Sequence, residues 1–582
     1  MHFQLDPLAV PPEAYRLGIN VAIDKQAVSQ RDGVREIPLR SDTAGLVAQF
    51  QALNYQGGIP YSPSRGQSAL QFSSKGDYIA ISAGGRKFLV EVVGRGTAAY
   101  GNLVEITGDA KQAPDLHMSW MGQAENYLIA GDDFGSTFVY DSEASFLSTG
   151  YNPGEPTLSK IPNRSRLPVY THGRVGMVNG AGNELLGDII HGENTTTASD
   201  LLNFSEQIYW ASGAEMRIPT DAGAILASYN LPTLGRSSDH GEHVLEAEGR
   251  VYAIATHIAP RTAWIDTPNM FVTVSAEGGA RGPWAFDVYN DDAIRRTLNG
   301  LETLSFSKRA SDIFYSPQES ISFQIDEFLE GDFGPLLRFN QTKVHRSAKR
   351  LHSTVRPWVS GYHWKHRGIA TYNYQKKVWE GINIYPRPVR DIKGIIPMRM
   401  SGEARMFLIA GNDQTGASIR VLEIQRGLRE DVLVDGTHPI QSSIYTGALY
   451  GDLKEMIEIN DGELQFSRVQ GNVDYDVSWK SDWSQGCWTE WHSGKVCHEP
   501  THTPTVKPVQ LGAFNGKTVN GVKSTAARHF EFLIRWSGKA DLRFQSVDVS
   551  RHSDTQRNIV DEDGACTSDP YCCSNDPLTL WQ

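Results

Sequence analysis

The chain has 582 residues, room for about two to four domains and at least one large core. Its formal net charge of −12 argues against a surface that grips nucleic acid or acidic membranes. Five cysteines do not make a disulfide framework, whereas 55 glycines and 28 prolines suit a turn-rich β protein.

The start, Met1-His2-Phe3-Gln4-Leu5-Asp6-Pro7, lacks the basic region and apolar run of a secretory signal. No stretch approaches the ~18 apolar residues that span a bilayer, so the expectation is synthesis and folding in a cytoplasm. Pro11-Pro12-Glu13-Ala14-Tyr15 can start a short helix, since proline is tolerated in a first turn. Gly18 to Ile23 then reads as a strand, and Gln30-Arg31-Asp32-Gly33-Val34 as a tight turn with Asp-Gly at its tip. Residues 1–60 are thereby an N-terminal arm and entry segment.

From residue 61 to 430 hairpins recur. Tyr78 to Ser82 turns at Gly84-Gly85 into Lys87 to Val92, Tyr127 to Asp132 leads through a Gly-rich turn into Thr137 to Tyr140, and Gly173 to Val178 pairs with Leu185 to Ile190. Later come Val251 to Ile254, Asp312 to Tyr315 with Ile321 to Ile325, and Ile369 to Tyr374 turning into Val378 to Gly381. The first three start roughly one propeller blade apart, ~40–50 residues. Leu128-Ile129-Ala130-Gly131-Asp132-Asp133 returns as Leu408-Ile409-Ala410-Gly411-Asn412-Asp413, a self-similarity that favours radial repetition over one or two large sandwiches. The fold class expected is mainly β, a β-propeller with an additional C-terminal β domain.

One stretch runs against the acidic background. Lys343, Arg346, Lys349, Arg350, Arg356, Lys365 and Arg367 lie within 25 residues, and 341–355 reads as a helix with Val344, Ala348 and Leu351 on one face. A solvated basic face is the plain reading; a patch that docks an acidic surface of a neighbouring subunit is the functional one.

Residues 431–562 form a Trp-rich C-terminal β region, with strands expected near 506–510, 530–535 and 542–549, and 563–582 read as a tail. Trp479, Trp483, Trp488 and Trp491 are candidates for core or subunit-interface packing, or for stacking on sugars. Cys487 and Cys497 bracket what looks like a hairpin; a disulfide between them and a pair of free thiols stay equally open. The string His498-Glu499-Pro500-Thr501-His502 matches a zinc-peptidase pattern, but Pro500 breaks the helix that such a site needs, so no metal is expected. Cys566, Cys572 and Cys573 fit no standard zinc spacing. No Walker loop, dinucleotide-binding glycine pattern or nucleophile elbow is present, so the expectation is no catalytic residue and no cofactor.

Several passages together resemble the tail nozzle (tail tubular) proteins of short-tailed bacteriophages. They are Pro11-Pro12-Glu13-Ala14-Tyr15-Arg16-Leu17-Gly18-Ile19-Asn20-Val21 followed by Arg31-Asp32-Gly33-Val34, then Ser119 to Ile129, Gly173-Arg174-Val175, Asp312 to Pro317 and Asp474 to Trp479. The resemblance is diffuse and spans roughly residues 10–500. It implies a non-enzymatic virion protein, assembled in the host cytoplasm as a homohexameric ring below the portal and adaptor. Such a ring conducts double-stranded DNA without binding it specifically, and docks tail fibres or spikes. The reading from another class is a propeller that degrades or binds polysaccharide, with acidic residues near its axis.

Overall fold

The computed structural model describes side chains over most of 15–61, 78–106 and 341–553, with short interruptions, and the backbone of the strands between 119 and 317. Among these residues the chain is almost entirely β, with one seven-residue α-helix, Leu46–Ala52. That helix buries Leu46 and Phe50, and Phe50 meets Phe88 edge-on with ring centroids 4.9 Å apart.

Most of the strands fall into antiparallel sheets of consecutive segments. The first strands of seven sheets, Tyr55–Tyr61, Ser119–Ala124, Ala198–Phe204, His243–Ala247, Phe286–Tyr289, Thr342–His345 and Asp391–Met400, each neighbour the next. The last of them neighbours the first, so the circuit closes. That is a seven-bladed β-propeller among the described residues. Radial repetition leaves only short sheet edges, and each blade buries its faces against two neighbours.

The local chemistry accounts for the hairpins. Tyr78–Ala83 and Arg86–Val93 join through Gly84 and Gly85 at φ 54° and 76°, the pair of positive dihedrals that a two-residue type I′ turn demands. Tyr127–Asp132 and Glu403–Gly411, which hold the repeated Leu-Ile-Ala-Gly, are both second strands of their blades. The regular spacing misleads at one place. Arg174–Val178 and Leu185–Ile190 belong to a three-stranded sheet with Pro168–Thr171 that touches the second blade from outside, and the third position in the circuit is taken by 198–230.

The basic stretch is a hairpin as well, correcting the expected helix. Thr342–His345 pairs with Arg350–Val355, and Lys349 turns the chain at φ 58°. Val344, Leu351 and Val355 do share a face, but at the two-residue period of a strand, and they pack in a cluster with Ala370, Trp379 and Ile382.

The first and last described segments are sewn into this ring. Four short strands open the described chain: β1 (Tyr15–Ile19), β2 (Val21–Asp24), β3 (Ala27–Gln30) and β4 (Gly33–Glu36). After the last blade come β5 (Gln441–Thr446), the 27-residue β6 (Glu455–Ser481), β7 (Thr489–Cys497) and the 25-residue β8 (His529–Ser553). β6 and β8 pair antiparallel from Glu455↔Ser553 to Ser481↔Phe530, bending at several register shifts. Their inner face holds the aromatic core of the C-terminal domain.

The N-terminal strands do not form a separate arm. β4 pairs antiparallel with Arg420–Gln425 and supplies the fourth strand of the last blade. β1 lies between Val378–Asn383 of the sixth blade and β5, while β3 pairs with β8. One continuous sheet therefore runs from the sixth blade through β1 and β5 into the C-terminal domain. No helix among the described residues is long and apolar enough to cross a membrane.

Candidate functional site: the junction of propeller and C-terminal domain

The junction is organised by the residues of the opening sequence, Asn20-Val21 and Arg31-Asp32-Gly33. Asn20 breaks the strand between β1 and β2 in the left-handed region, at φ 56°. Asparagine tolerates that conformation, and its amide has work there. Its Oδ1 accepts from the Ile384 amide at 2.7 Å and from Arg31 Nε at 3.0 Å, and its Nδ2 donates to the Gln441 carbonyl at 2.9 Å. One side chain thus ties the sixth blade, the entry segment and β5 together.

Arg31 is buried beside it and forks onto Asp431, Nη1 to Oδ1 at 2.9 Å and Nη2 to Oδ2 at 2.6 Å. Its Nη2 also donates to the Ile384 carbonyl at 3.1 Å, and the guanidinium lies 4.4 Å from the centre of the Tyr385 ring. Burial works against the charge, but Asp431 outweighs it and holds the Arg31 pKa above the ordinary arginine value. Asp431 Oδ1 also accepts from the Val34 amide at 3.0 Å, so the carboxylate fixes β4 as well as the guanidinium. Asp32 Oδ1 accepts from the Gly427 amide at 2.9 Å. A Cβ on Gly33 would sit 2.1 Å from the Glu430 carbonyl oxygen, so only glycine lets the strands approach this closely.

A second node lies on the other side of β1. Glu380, buried at 1%, accepts from Arg350 Nε at 2.7 Å and Nη2 at 3.0 Å, from Asn373 Nδ2 at 2.9 Å and from the Ile23 amide at 3.3 Å. The Tyr15 hydroxyl donates to the Glu380 carbonyl at 3.0 Å. Nothing in the sequence marks Asp431 or Glu380 as partners: Arg31 is 400 residues from Asp431, and Glu380 links Arg350, 30 residues away, to Ile23, 357 residues away.

The sites expected from sequence are redistributed by this architecture. Lys343 is 7% exposed and Arg367 is 1% exposed, with Arg367 Nη1 on Asp391 at 3.0 Å in a fully buried pair. Arg350 is taken up by Glu380. Lys343 and Arg367 are buried and Arg350 is held by Glu380, so these three do not form a free docking patch; a strand hairpin within the sixth blade turns half its side chains inward. Among the described residues of the basic stretch Lys349 alone is exposed, and Arg346 and Lys365 lie outside the described residues.

Trp479 and Trp491 are likewise core. Trp479 packs on Phe514 and Phe530 with ring centroids 4.8 and 5.8 Å apart, and Trp491 meets Phe514 edge-on at 5.1 Å. Trp488 is half-buried, edge-on to Tyr445 at 5.6 Å and beneath the Lys480 ammonium at 5.1 Å. Trp483 lies outside the described residues.

The hairpin expected between the two cysteines is corrected too. Residues 489–497 are not a hairpin but the single strand β7, whose nine residues separate its ends by ~26 Å at the usual rise. Cys487 lies outside the described residues. Cys497 is free and exposed. His498, His502, Cys566, Cys572 and Cys573 lie outside the described residues.

No protein-family model matches the chain, and no curated protein sequence does. Among solved structures it is similar to the crystal structure of BamB from Moraxella catarrhalis, at 10% identity and a TM-score of 0.35, covering 64% of this chain and 100% of that one. The propeller assignment rests on the closed circuit of sheets described above.

Proposed function

We propose that the chain is a nozzle-like ring subunit of a short-tailed bacteriophage tail, placed below the portal and adaptor and docking fibres or spikes. The observation that carries this reading is the work done by the residues on which the sequence resemblance rests. Asn20, Arg31, Asp32 and Gly33 close the last blade and lock the propeller to the C-terminal domain. A motif used in this way belongs to a load-carrying architecture.

The charge is consistent with a conduit. Each Lys or Arg contact to a phosphate adds a salt-dependent attraction, and several together would hold a duplex in place. Here two cations of the basic stretch, Lys343 and Arg367, are buried in the fold, a third, Arg350, is paired with Glu380, and the net charge is −12. Identical subunits joined head to tail close into rings when the rotation permits, which is the symmetry a conduit requires.

Native mass measurement and negative-stain images of the purified chain test the proposal. Hexameric or dodecameric rings with a central opening are expected, alone or on addition of the adaptor. A chain that stays monomeric in both conditions and releases reducing ends from polysaccharide would instead be a propeller hydrolase or lyase.

A further inference from the structure

Outside the junction, the C-terminal sheet carries a groove of about 570 Å³ crossing β5, β8, β6 and β7. That volume falls in the ~300–1,000 Å³ range of small-molecule sites. Three rungs of the sheet line it. Ser443, Arg535, Asp476 and Ser493 oppose one another on the first, and Gln441, Ser537, Asp474 and Lys495 on the third. Opposed residues of antiparallel strands share a face, so these eight side chains stand together.

The rung between them faces the other way. Ser442 and Trp536 are each 1% exposed, and Tyr475 lies across Gly494, where a Cβ would meet its hydroxyl at 2.7 Å. The aromatic ring covers a glycine on a strand that pairs with β6 alone among the described residues, an arrangement that keeps such a strand in register. The His492 Nε2–Tyr475 hydroxyl contact of 3.0 Å fixes the ring. Register shifts around Gln470 to Asp474, with Gly471 at φ 70° and Gly538 at φ 116°, bend the long strands beside the groove.

The groove is polar but electrically balanced. Asp476 accepts from Arg535 Nε at 2.8 Å, with Arg535 Nη2 2.7 Å from the same oxygen, and Lys495 Nζ lies 3.0 Å from Asp474. Two carboxylates and two cations cancel. A charged ligand would have to break one of these pairs. A neutral ligand need not, because a carboxylate has about four acceptor positions and a guanidinium five N–H donors. Arg535, which lines the groove, engages Asp476 through Nε and Nη2. Ser493 donates to Glu490 at 2.6 Å, so its oxygen is presented as an acceptor. Burial raises the Asp476 pKa from its ordinary value against the pull of Arg535, the mark of a carboxylate partly shielded from water.

We infer that this groove binds a neutral polyhydroxylated ligand of the oligosaccharide class. Adjacent hydroxyls that each donate and accept can bridge Asp476 and Arg535 on one rung and Asp474 and Lys495 on the next. Bound saccharide would lie in the groove between these two polar rungs, on the face opposite the Tyr475 ring. The inference concerns this face alone and does not depend on whether the chain forms rings.

The test is full-length protein on a printed array of neutral and acidic oligosaccharides, followed by isothermal titration with the neutral trisaccharide of strongest signal. Binding by the native chain, weakened at least tenfold in both Ser493→Trp and Arg535→Gln, is the expected result. Ser493 is exposed, so its replacement fills the groove without entering the core, and an unchanged thermal unfolding midpoint verifies this. Should Arg535→Gln fail to fold, Ser493→Trp decides alone. Absence of neutral-saccharide binding, preference for acidic saccharides, or binding that survives Ser493→Trp would overturn the inference.

Discussion

Arg31 and Asp431 stand 400 residues apart in the chain and meet through two parallel hydrogen bonds of 2.9 and 2.6 Å in a site closed to water. The pair joins the first strands of the chain to the segment that follows the last blade. It does for the ring what a covalent link between the ends would do, with side chains in place of a bond.

Removing one partner should therefore cost far more than a surface pair is worth. Asp431→Asn leaves a buried guanidinium unpaired and is expected to lower stability by about 3–5 kcal/mol, measured by urea unfolding. The exposed Arg95–Glu403 pair is the control; Glu403→Gln should change stability by less than about 1 kcal/mol. Equal effects at the two sites would show that the junction does not hold the ring closed.

Gly33→Ala addresses the same closure through the backbone. Its methyl group has no room beside the Glu430 carbonyl, so β4 must move off Arg420–Gln425 or the 430 strand must give way. Amide exchange in 420–425 should accelerate in this variant while exchange in Arg86–Val93 of the first blade changes less. Uniform acceleration throughout would mean global loss of stability instead of a local opening.

Acid should loosen the sixth blade. His352 is fully buried, with Nδ1 3.3 Å from the Thr371 hydroxyl, and burial holds its pKa well below the ordinary histidine value, reinforced by His345 and Arg350. Burial, then Arg350, lowers His345 to about 4. Both are neutral when folded and take protons more readily when unfolded. Their contribution is therefore fully present above pH ~6.5 and declines as pH falls toward the folded values, by up to about 1.4 kcal/mol per pH unit for each histidine. Urea midpoints at pH 7.5, 6 and 5 should fall in that order, and His352→Gln should flatten the slope. An unaltered slope would assign the acid sensitivity to the carboxylates.

The tryptophans give a direct contrast between core and surface. Trp491→Ala removes the ring that meets Phe514 and Phe532 and is expected to cost about 3–5 kcal/mol. Lys349→Glu, at an exposed turn, should leave the fold intact. A stable, soluble Trp491→Ala chain with native melting would contradict the burial described here.

Cys497 should react as a free thiol. Native alkylation with iodoacetamide, digestion and mass measurement should find it fully modified. A peptide joining Cys487 to Cys497 would contradict this.

Much of the fold was legible along the chain because its causes are local. Alternating apolar residues, Gly84-Gly85 and the repeated Leu-Ile-Ala-Gly mark strands and turns wherever they occur, and radial repetition follows from their recurrence. The same local pattern misassigned 341–355, where seven residues of spacing between Val344 and Leu351 suit a helix as well as a hairpin folded at Lys349. It also counted 174–190 as a blade, since a hairpin carries no mark of the sheet it will join. The fates of Lys343, Arg350, Arg367, Trp479 and Trp491 were decided only by tertiary structure. Whether a cation is a docking group or a buried tie depends on the carboxylate opposite it; Glu380 meets Arg350 only once the strands of the sixth blade are paired, and Asp391 meets Arg367 only where the sixth and seventh blades adjoin. Closure of the ring is the extreme case, because the residues that accomplish it are neighbours in space and strangers in sequence.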